Sequence, residues 1–227
     1  MTMIEMTAVG RMYRTSAEEV WAVRDVTLTI PEGAFVALYG VSGSGKSTLL
    51  NLVAGLDVAT SGQVLLDGAD LGRMSEDERA RVRLERVGVV FQDHNLIEEF
   101  TALENVMLPL EARGMPVPEA RSAGRAALER VGLDRLEDRL PGQMSGGQRQ
   151  RIGVARALAG DRRVLLADEP SGSLDSVTSL GLFGLLREIA DAGATVVVAT
   201  HDPRVRDVAD VSLEMLDGRL LAPAAVA

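Results

Sequence analysis

The chain has 227 residues, no cysteine, and 33 Asp and Glu against 24 Lys and Arg, a formal net charge of -9. That length buries a substantial core, the missing thiols exclude disulfide staples and thiolate metal sites, and the acidic balance argues against a nucleic-acid partner, whose binders carry a basic footprint. The opening Met1-Thr2-Met3-Ile4-Glu5 lacks the basic and apolar parts of a signal peptide, and no apolar run nears the ~18 residues of a membrane span, so a cytoplasmic location is expected, with any membrane role exerted through a partner.

Residues 1 to 33 read as strands and turns, with Val20 to Ile30 alternating apolar and polar before the turn Pro31-Glu32-Gly33, an antiparallel beginning. Phe35-Val36-Ala37-Leu38-Tyr39 reads as a buried strand and runs into Gly40-Val41-Ser42-Gly43-Ser44-Gly45-Lys46-Ser47-Thr48. The spacing G-x-x-x-x-G-K-S after a strand is a phosphate cradle and implies a bound nucleoside triphosphate. Gly40, Gly43 and Gly45 free the backbone so that the amides of this loop, those of Ser42 and Ser44 among them, converge on phosphate oxygens. Lys46 adds positive charge near the outer phosphates, and Ser47 offers a hydroxyl to magnesium, which prefers oxygen ligands. Thr48, Leu49 and Leu50 begin a helix whose positive end faces the anion.

Gly62 to Gly68 reads as a short strand ending in a turn, and Ser75-Glu76-Asp77-Glu78 has the spacing of a capping box. The helix it opens carries acids first and then Arg79, Arg81, Arg83 and Arg86, an order that complements the helix dipole and reads as a solvated face. Val87 to Phe91 is a buried strand, Gln92 to Phe100 is irregular, and Thr101-Ala102-Leu103-Glu104 is a second capping box. From there to about residue 141 the composition predicts several helices punctuated by Pro109, Pro116 and Pro118, a helical subdomain inserted into the strand-rich chain. The alternation then resumes with strand Val164 to Ala167, helix Val177 to Ala190, strand Thr195 to Ala199, short helix Arg204 to Val208 and strand Val211 to Leu216. Strand and helix in turn predict a parallel sheet covered on both faces.

In open α/β sheets chemistry gathers beyond the carboxyl ends of the strands. Gln92 follows one such end and carries an amide able to touch a metal-bound water or the nucleophile. Val164-Leu165-Leu166-Ala167 runs straight into Asp168 and Glu169, placing Asp168 to hold magnesium and Glu169 to polarise a water for in-line attack on the terminal phosphate. His201 follows the strand Thr195 to Ala199 and is a candidate functional group, whereas His94 reads as an exposed loop residue. Ser145-Gly146-Gly147-Gln148 has capping-box spacing at a helix start, a second N-terminus suited to an anion.

Together these residues resemble the ATP-binding cassette family: the phosphate loop 40–48, Gln92, the S-G-G-Q signature 145–148, the pair 168–169, Ser173-Leu174-Asp175 and His201. Gly55 to Val64, Val90-Phe91-Gln92, Asn95-Leu96, Thr101 to Val106 and Leu165 to Ser176 are similar to its macrolide-export and lipoprotein-release branch, near which the cell-division ATPase also lies. The resemblance implies one α/β cassette over 1–227: a mostly parallel core sheet and N-terminal antiparallel β-subdomain from about 1–91 and 160–227, with 92–159 holding the helical subdomain and signature helix. It implies ATP and Mg2+ as cofactors, and Glu169, His201, Gln92 and Lys46 as catalytic groups. Magnesium would meet Ser47, Gln92 and Asp168. It further implies a homodimer or heterodimer of cassettes, each ATP lying between one phosphate loop and the other's Ser145, Gly146, Gly147 and Gln148.

Tyr13 matches the aromatic that stacks on adenine, Asp175 the loop that communicates between sites, and His201 the residue that contacts the terminal phosphate. Trp21 is a second aromatic near Tyr13, and its place in a strand favours packing. Val41, Met144 and Ser171 depart from the commoner proline, leucine and threonine without removing a polar catalytic group, so an active ATPase is expected. In such transporters the region 93–115 meets an integral-membrane permease, which would hold the chain at the inner face of the cell membrane. Other readings are a division-type regulator whose permease-like partner moves no substrate, and a cassette ATPase of DNA repair or translation, which the acidic charge and single cassette oppose.

Overall fold

The computed structural model describes residues 1–14, 18–160, 162–172, 174–221 and the backbone of 224–225. The chain begins with strands β1 (Thr2–Arg14) and β2 (Glu19–Pro31), followed by β3 (Phe35–Tyr39) and helix α1 (Lys46–Val53). Helix α1 starts at Lys46 and not at Thr48, because Gly45 at φ 105 lets the loop turn directly into the helix. Next come β4 (Ser61–Leu66), the two-residue β5 (Ala69–Asp70), α2 (Glu76–Arg86) and β6 (Val87–Val90). Both capping boxes form: Ser75 and Glu78 exchange hydrogen bonds at the start of α2, and Thr101 and Glu104 do so at α3 (Ala102–Ala112). The basic residues of α2 are occupied locally, Arg79 and Arg83 each pairing with Glu76 at 2.7 Å and Arg86 with Asp67 at 3.0 Å.

Pro109 does not break the chain as expected but lies inside α3, whose exit comes three residues later. The irregular stretch before this helix is fastened by the wholly buried Asn105, whose amide donates to the carbonyls of Ile97, Phe100 and Thr101 and accepts from the N–H of Ile97. Pro116 and Pro118 stand at the entry of α4 (Val117–Arg130), where a missing N–H costs nothing. Then follow α5 (Gly146–Leu158), β7 (Val164–Asp168), α6 (Ser176–Asp191), β8 (Thr195–Thr200), β9 (Val211–Leu216), β10 (Arg219–Leu220) and β11 (Ala224–Ala225). The expected short helix near Arg204 is the 3-10 turn Pro203–Asp207.

Among the described residues two sheets form, in the orders β11-β2-β1-β4-β5 and β10-β9-β3-β8-β7-β6. In the first, β1 pairs antiparallel with β2 and β4, so a strand from beyond the phosphate loop completes the N-terminal antiparallel unit. In the second, β3, β6, β7, β8 and β9 pair in parallel, and β10 returns antiparallel on β9. Because side chains alternate across a strand, Phe35 and Ala37 of β3 enter one core with Leu165, Val196 and helices α3 to α6. Val36 and Leu38 enter the other with Val164, Val197, α1 and the antiparallel sheet. Each such fully buried large side chain stabilises the fold by about 1.5–3 kcal/mol. Gly88 lets the signature helix lie close to β6, since a Cβ there would sit 2.1 Å from the carbonyl oxygen of Ala157.

Candidate nucleotide site

Strands β3, β8, β7 and β6 lie side by side and deliver their carboxyl ends to one edge of the core sheet. From β3 comes the phosphate loop, which is tightly folded on neighbouring backbone. A Cβ on Gly40 would meet the carbonyl oxygen of Met215 at 2.4 Å, and one on Gly45 that of Ala22 at 2.1 Å. Inside it Lys46 is nearly buried, its Nζ donating to the carbonyls of Gly40 at 2.8 Å and Val41 at 3.1 Å. The same ammonium lies 3.5 Å from Glu169 Oε1. Ser44 is buried as well, and its hydroxyl has no partner among the described residues. Ser42, Gly43, Ser47 and Thr48 complete the loop and the first turn of α1.

From β7 come Asp168 and Glu169. Burial pushes the Asp168 carboxyl above its ordinary value and the neighbouring Glu169 charge adds to this, while the Ser47 hydroxyl and Lys46 oppose it. Asp168 Oδ1 is buried without a protein partner among the described residues. One carboxylate beside one hydroxyl fits magnesium, which takes one or two carboxylates and fills its remaining positions with phosphate and water oxygens. Glu169 stands at φ 45, in the left-handed region. Its Oε2 accepts from Thr200 Oγ1 at 3.0 Å and from the His201 N–H at 3.3 Å, and lies 3.0 Å from His201 Nδ1. Lys46, Ser47, Asp168, Glu169 and His201 are therefore brought together. Gln92 belongs to the same edge: a Cβ on Gly172 would lie 3.4 Å from its amide nitrogen and 3.3 Å from the carbonyl oxygen of Glu169.

Ser145 caps α5 as the spacing predicts, accepting from the Gln148 N–H, while Gln148 accepts from the Ser145 N–H. No hydrogen bond or ion pair among the described residues joins residues 145–148 to the phosphate loop. Gly147 instead abuts the start of α6, where a Cβ on it would lie 2.6 Å from Thr178 Cγ2. Asp175 caps α6 through the N–H groups of Val177 and Thr178, and the Thr178 hydroxyl at 2.6 Å holds its carboxyl below the usual range. Ser173, the first residue of the S-L-D triplet, lies outside the described residues. Tyr13 is exposed, its hydroxyl donating to Asp57 at 2.7 Å and one ring face covered by Arg11 at 4.5 Å. Trp21 packs over Gly10, a Cβ on which would meet the indole at 2.9 Å.

His94 is buried, not exposed, and bonds through Nδ1 to Oε1 of the wholly buried Gln150 on α5. Arg156, two turns further along α5, donates to the carbonyls of Asn95 at 2.5 Å and His94 at 2.7 Å. The segment after Gln92 is thereby clasped to the signature helix. His94 stands in a polar run with no apolar periodicity, whereas Gln150 shares a face of α5 at helical spacing with Val154, Ala157 and Leu158. A polar residue at a core-facing position of α5 was the only available signal.

Burial holds the His94 imidazole below its ordinary value of 6.5, with Arg149 adding to the effect and Gln150 and Asp93 opposing it. Below about pH 6.5 the unfolded chain takes up a proton that the folded chain refuses, so stability falls as pH falls and levels off beneath the folded value. Thermal unfolding midpoints should drop as the pH is lowered below about 6.5, more steeply for the natural chain than for His94→Phe. Equal slopes would contradict this role for His94.

The family described as "ABC transporter" matches residues 23–172. The lipoprotein-releasing system ATP-binding protein LolD of Anaeromyxobacter dehalogenans is 45% identical over 221 residues, covering 96% of this chain and 92% of that protein. The macrolide export ATP-binding/permease protein MacB 1/2 of Paracoccus denitrificans is 44% identical over 220 residues, covering 97% of this chain but only 33% of that protein. Among solved structures, the dimeric bacterial ABC transporter cassette MJ0796 has a TM-score of 0.91 at 39% identity, with 99% of both chains covered. A dimeric post-hydrolysis state of MJ0796 with ADP and Pi has the same TM-score at 38% identity. By its matched segment, its relatives and its sheet topology, the chain belongs to the ABC transporter family, as one of its ATP-hydrolysing cassettes.

Proposed function

We propose that this chain pairs with a second cassette around ATP and uses closure and hydrolysis to drive a membrane permease, in export or extraction of lipophilic substrates, peptides or lipoproteins. One observation carries this reading. Lys46, Glu169 and His201, the side chains assigned here to catalysis, lie together within one chain, while the capped Ser145 end is exposed and bonded to none of them among the described residues. A half-site of each kind on one molecule is what a head-to-tail dimer needs to build two complete ones. Macrolide export and lipoprotein release in its relatives support the substrate class.

In this reading Lys46 releases the carbonyls of Gly40 and Val41 to the outer phosphates, and the loop amides and the positive end of α1 take the remaining charge. Ser47, Asp168 and Gln92 would hold magnesium, and the ion when bound would neutralise charge on the phosphate oxygens. Glu169 takes a proton from the attacking water, and His201 and the partner's signature helix meet the terminal phosphate. Tyr13 offers its uncovered ring face to adenine.

The permease contact is an apolar groove of about 510 Å³ between the core and the helical insert, lined by Leu84, Val89, Phe91, Leu108 and Pro109. Arg156 and Arg162 also line it, and neither is within 4.0 Å of a carboxylate among the described residues. Burial, with Arg113 and Arg156 nearby, pushes Arg162 down to about 10. The groove therefore suits a cytoplasmic permease helix with one apolar face and an acidic flank. Co-expressed with the cognate permease, Leu108→Glu should cut co-purification at least about ten-fold while leaving ATP affinity unchanged. Undiminished co-purification would contradict this contact.

A further inference from the structure

Thr200 ends β8 immediately before His201 and is wholly buried. Its Oγ1 accepts the Asp202 N–H at 3.1 Å and lies 3.0 Å from Glu169 Oε2. A backbone N–H can only donate, so the hydroxyl accepts there and its own proton is left for the carboxylate. The Asp202 side that feeds this arrangement is itself fixed, because its carboxylate accepts from the Arg204 N–H and guanidinium at 2.5–3.1 Å. The two oxygens of Glu169 are thus unlike: Oε2 is tied to the end of β8, and Oε1 faces Lys46 at 3.5 Å.

His201 is the other side chain on Oε2, but it is 68% exposed and free to turn toward a phosphate. Thr200 has no such freedom. When His201 engages the nucleotide, the threonine hydroxyl is left as the side chain still gripping Oε2. The backbone of Glu169 is anchored on the same strand, its N–H donating to the Ala199 carbonyl at 2.8 Å despite the left-handed φ of 45.

We infer that Thr200 is a positioning residue for Glu169: its hydroxyl fixes the carboxylate so that Oε1 is the oxygen presented to the water that attacks the terminal phosphate. This rests on the reading of Glu169 as the base, and a comparison of four variants separates the two ideas. Steady-state ATPase and nucleotide affinity are measured for Thr200→Ser, Thr200→Val, Glu169→Gln and the double variant Glu169→Gln/Thr200→Val. Thr200→Ser keeps the hydroxyl and should stay within about two-fold of the natural kcat, while Thr200→Val, nearly the same volume, should lose about ten-fold in kcat with KM for ATP unchanged. Added to Glu169→Gln, Thr200→Val should cost nothing further, because the group it orients no longer accepts a proton.

The inference is overturned if Thr200→Val turns over normally while Glu169→Gln is inactive. It is equally overturned if Thr200→Ser is as impaired as Thr200→Val, or if kcat and ATP affinity fall together, since either outcome assigns the residue to packing. Normal turnover by Glu169→Gln removes the base assignment first, and the positioning role with it.

Discussion

Glu169→Gln is expected to stop ATP turnover while leaving ATP bound. The amide matches the carboxylate in shape and keeps an oxygen for the Thr200 hydroxyl at Oε2, but it cannot take a proton from water. General-base assistance contributes typically about 10²–10⁴-fold, so kcat should fall at least about 100-fold. Removing a negative charge beside Lys46 and Asp168 should leave triphosphate affinity equal to or tighter than that of the natural chain. Phosphate release and equilibrium nucleotide binding on the same preparation check both halves. Turnover within a few-fold of normal would remove Glu169 from the chemistry.

The second large effect comes from mixing two inactive variants. Lys46→Ala deletes the buried cation of the phosphate loop, and Ser145→Glu sets a negative charge at the signature helix where a phosphate would be received. Each variant alone should hydrolyse at the background rate. If the sites are composite, a mixed dimer places both lesions in one site and leaves the other intact. With equal amounts and random pairing, half the dimers are mixed, so about a quarter of all sites recover. Turnover of the mixture well above either parent is the expected result. A mixture no more active than its parents would mean that Ser145 and Lys46 serve the same nucleotide within one chain, or different nucleotides altogether.

Much of the fold is legible because its cues are local. Phe35 to Tyr39 and Val211 to Leu216 are strands at the predicted limits, and three capping boxes mark helix starts through the side chains of Ser75, Thr101 and Ser145. Pro109 misleads because its helix is held by tertiary packing: Leu103, Val106 and Leu110 are buried on the same element, which outweighs the lost backbone bond. The site is legible where a spacing implies a backbone shape, as in the phosphate loop, or where an apolar strand ends in charge, as at Asp168. His94, Gln150 and Thr200 were opaque for the opposite reason. Each acts through a partner 31 to 56 positions away, Gln150 for His94 and Glu169 for Thr200, and nothing nearby in the chain announces the pairing.

The account stands or falls on two chains closing over ATP. Light scattering on Glu169→Gln, with ATP and magnesium, measures this directly against a chain mass of 24.2 kDa. A shift to twice that mass on adding ATP, reversed by Ser145→Glu in the same background, is the predicted result. A protein that binds ATP at full occupancy and keeps the single-chain mass would contradict the account.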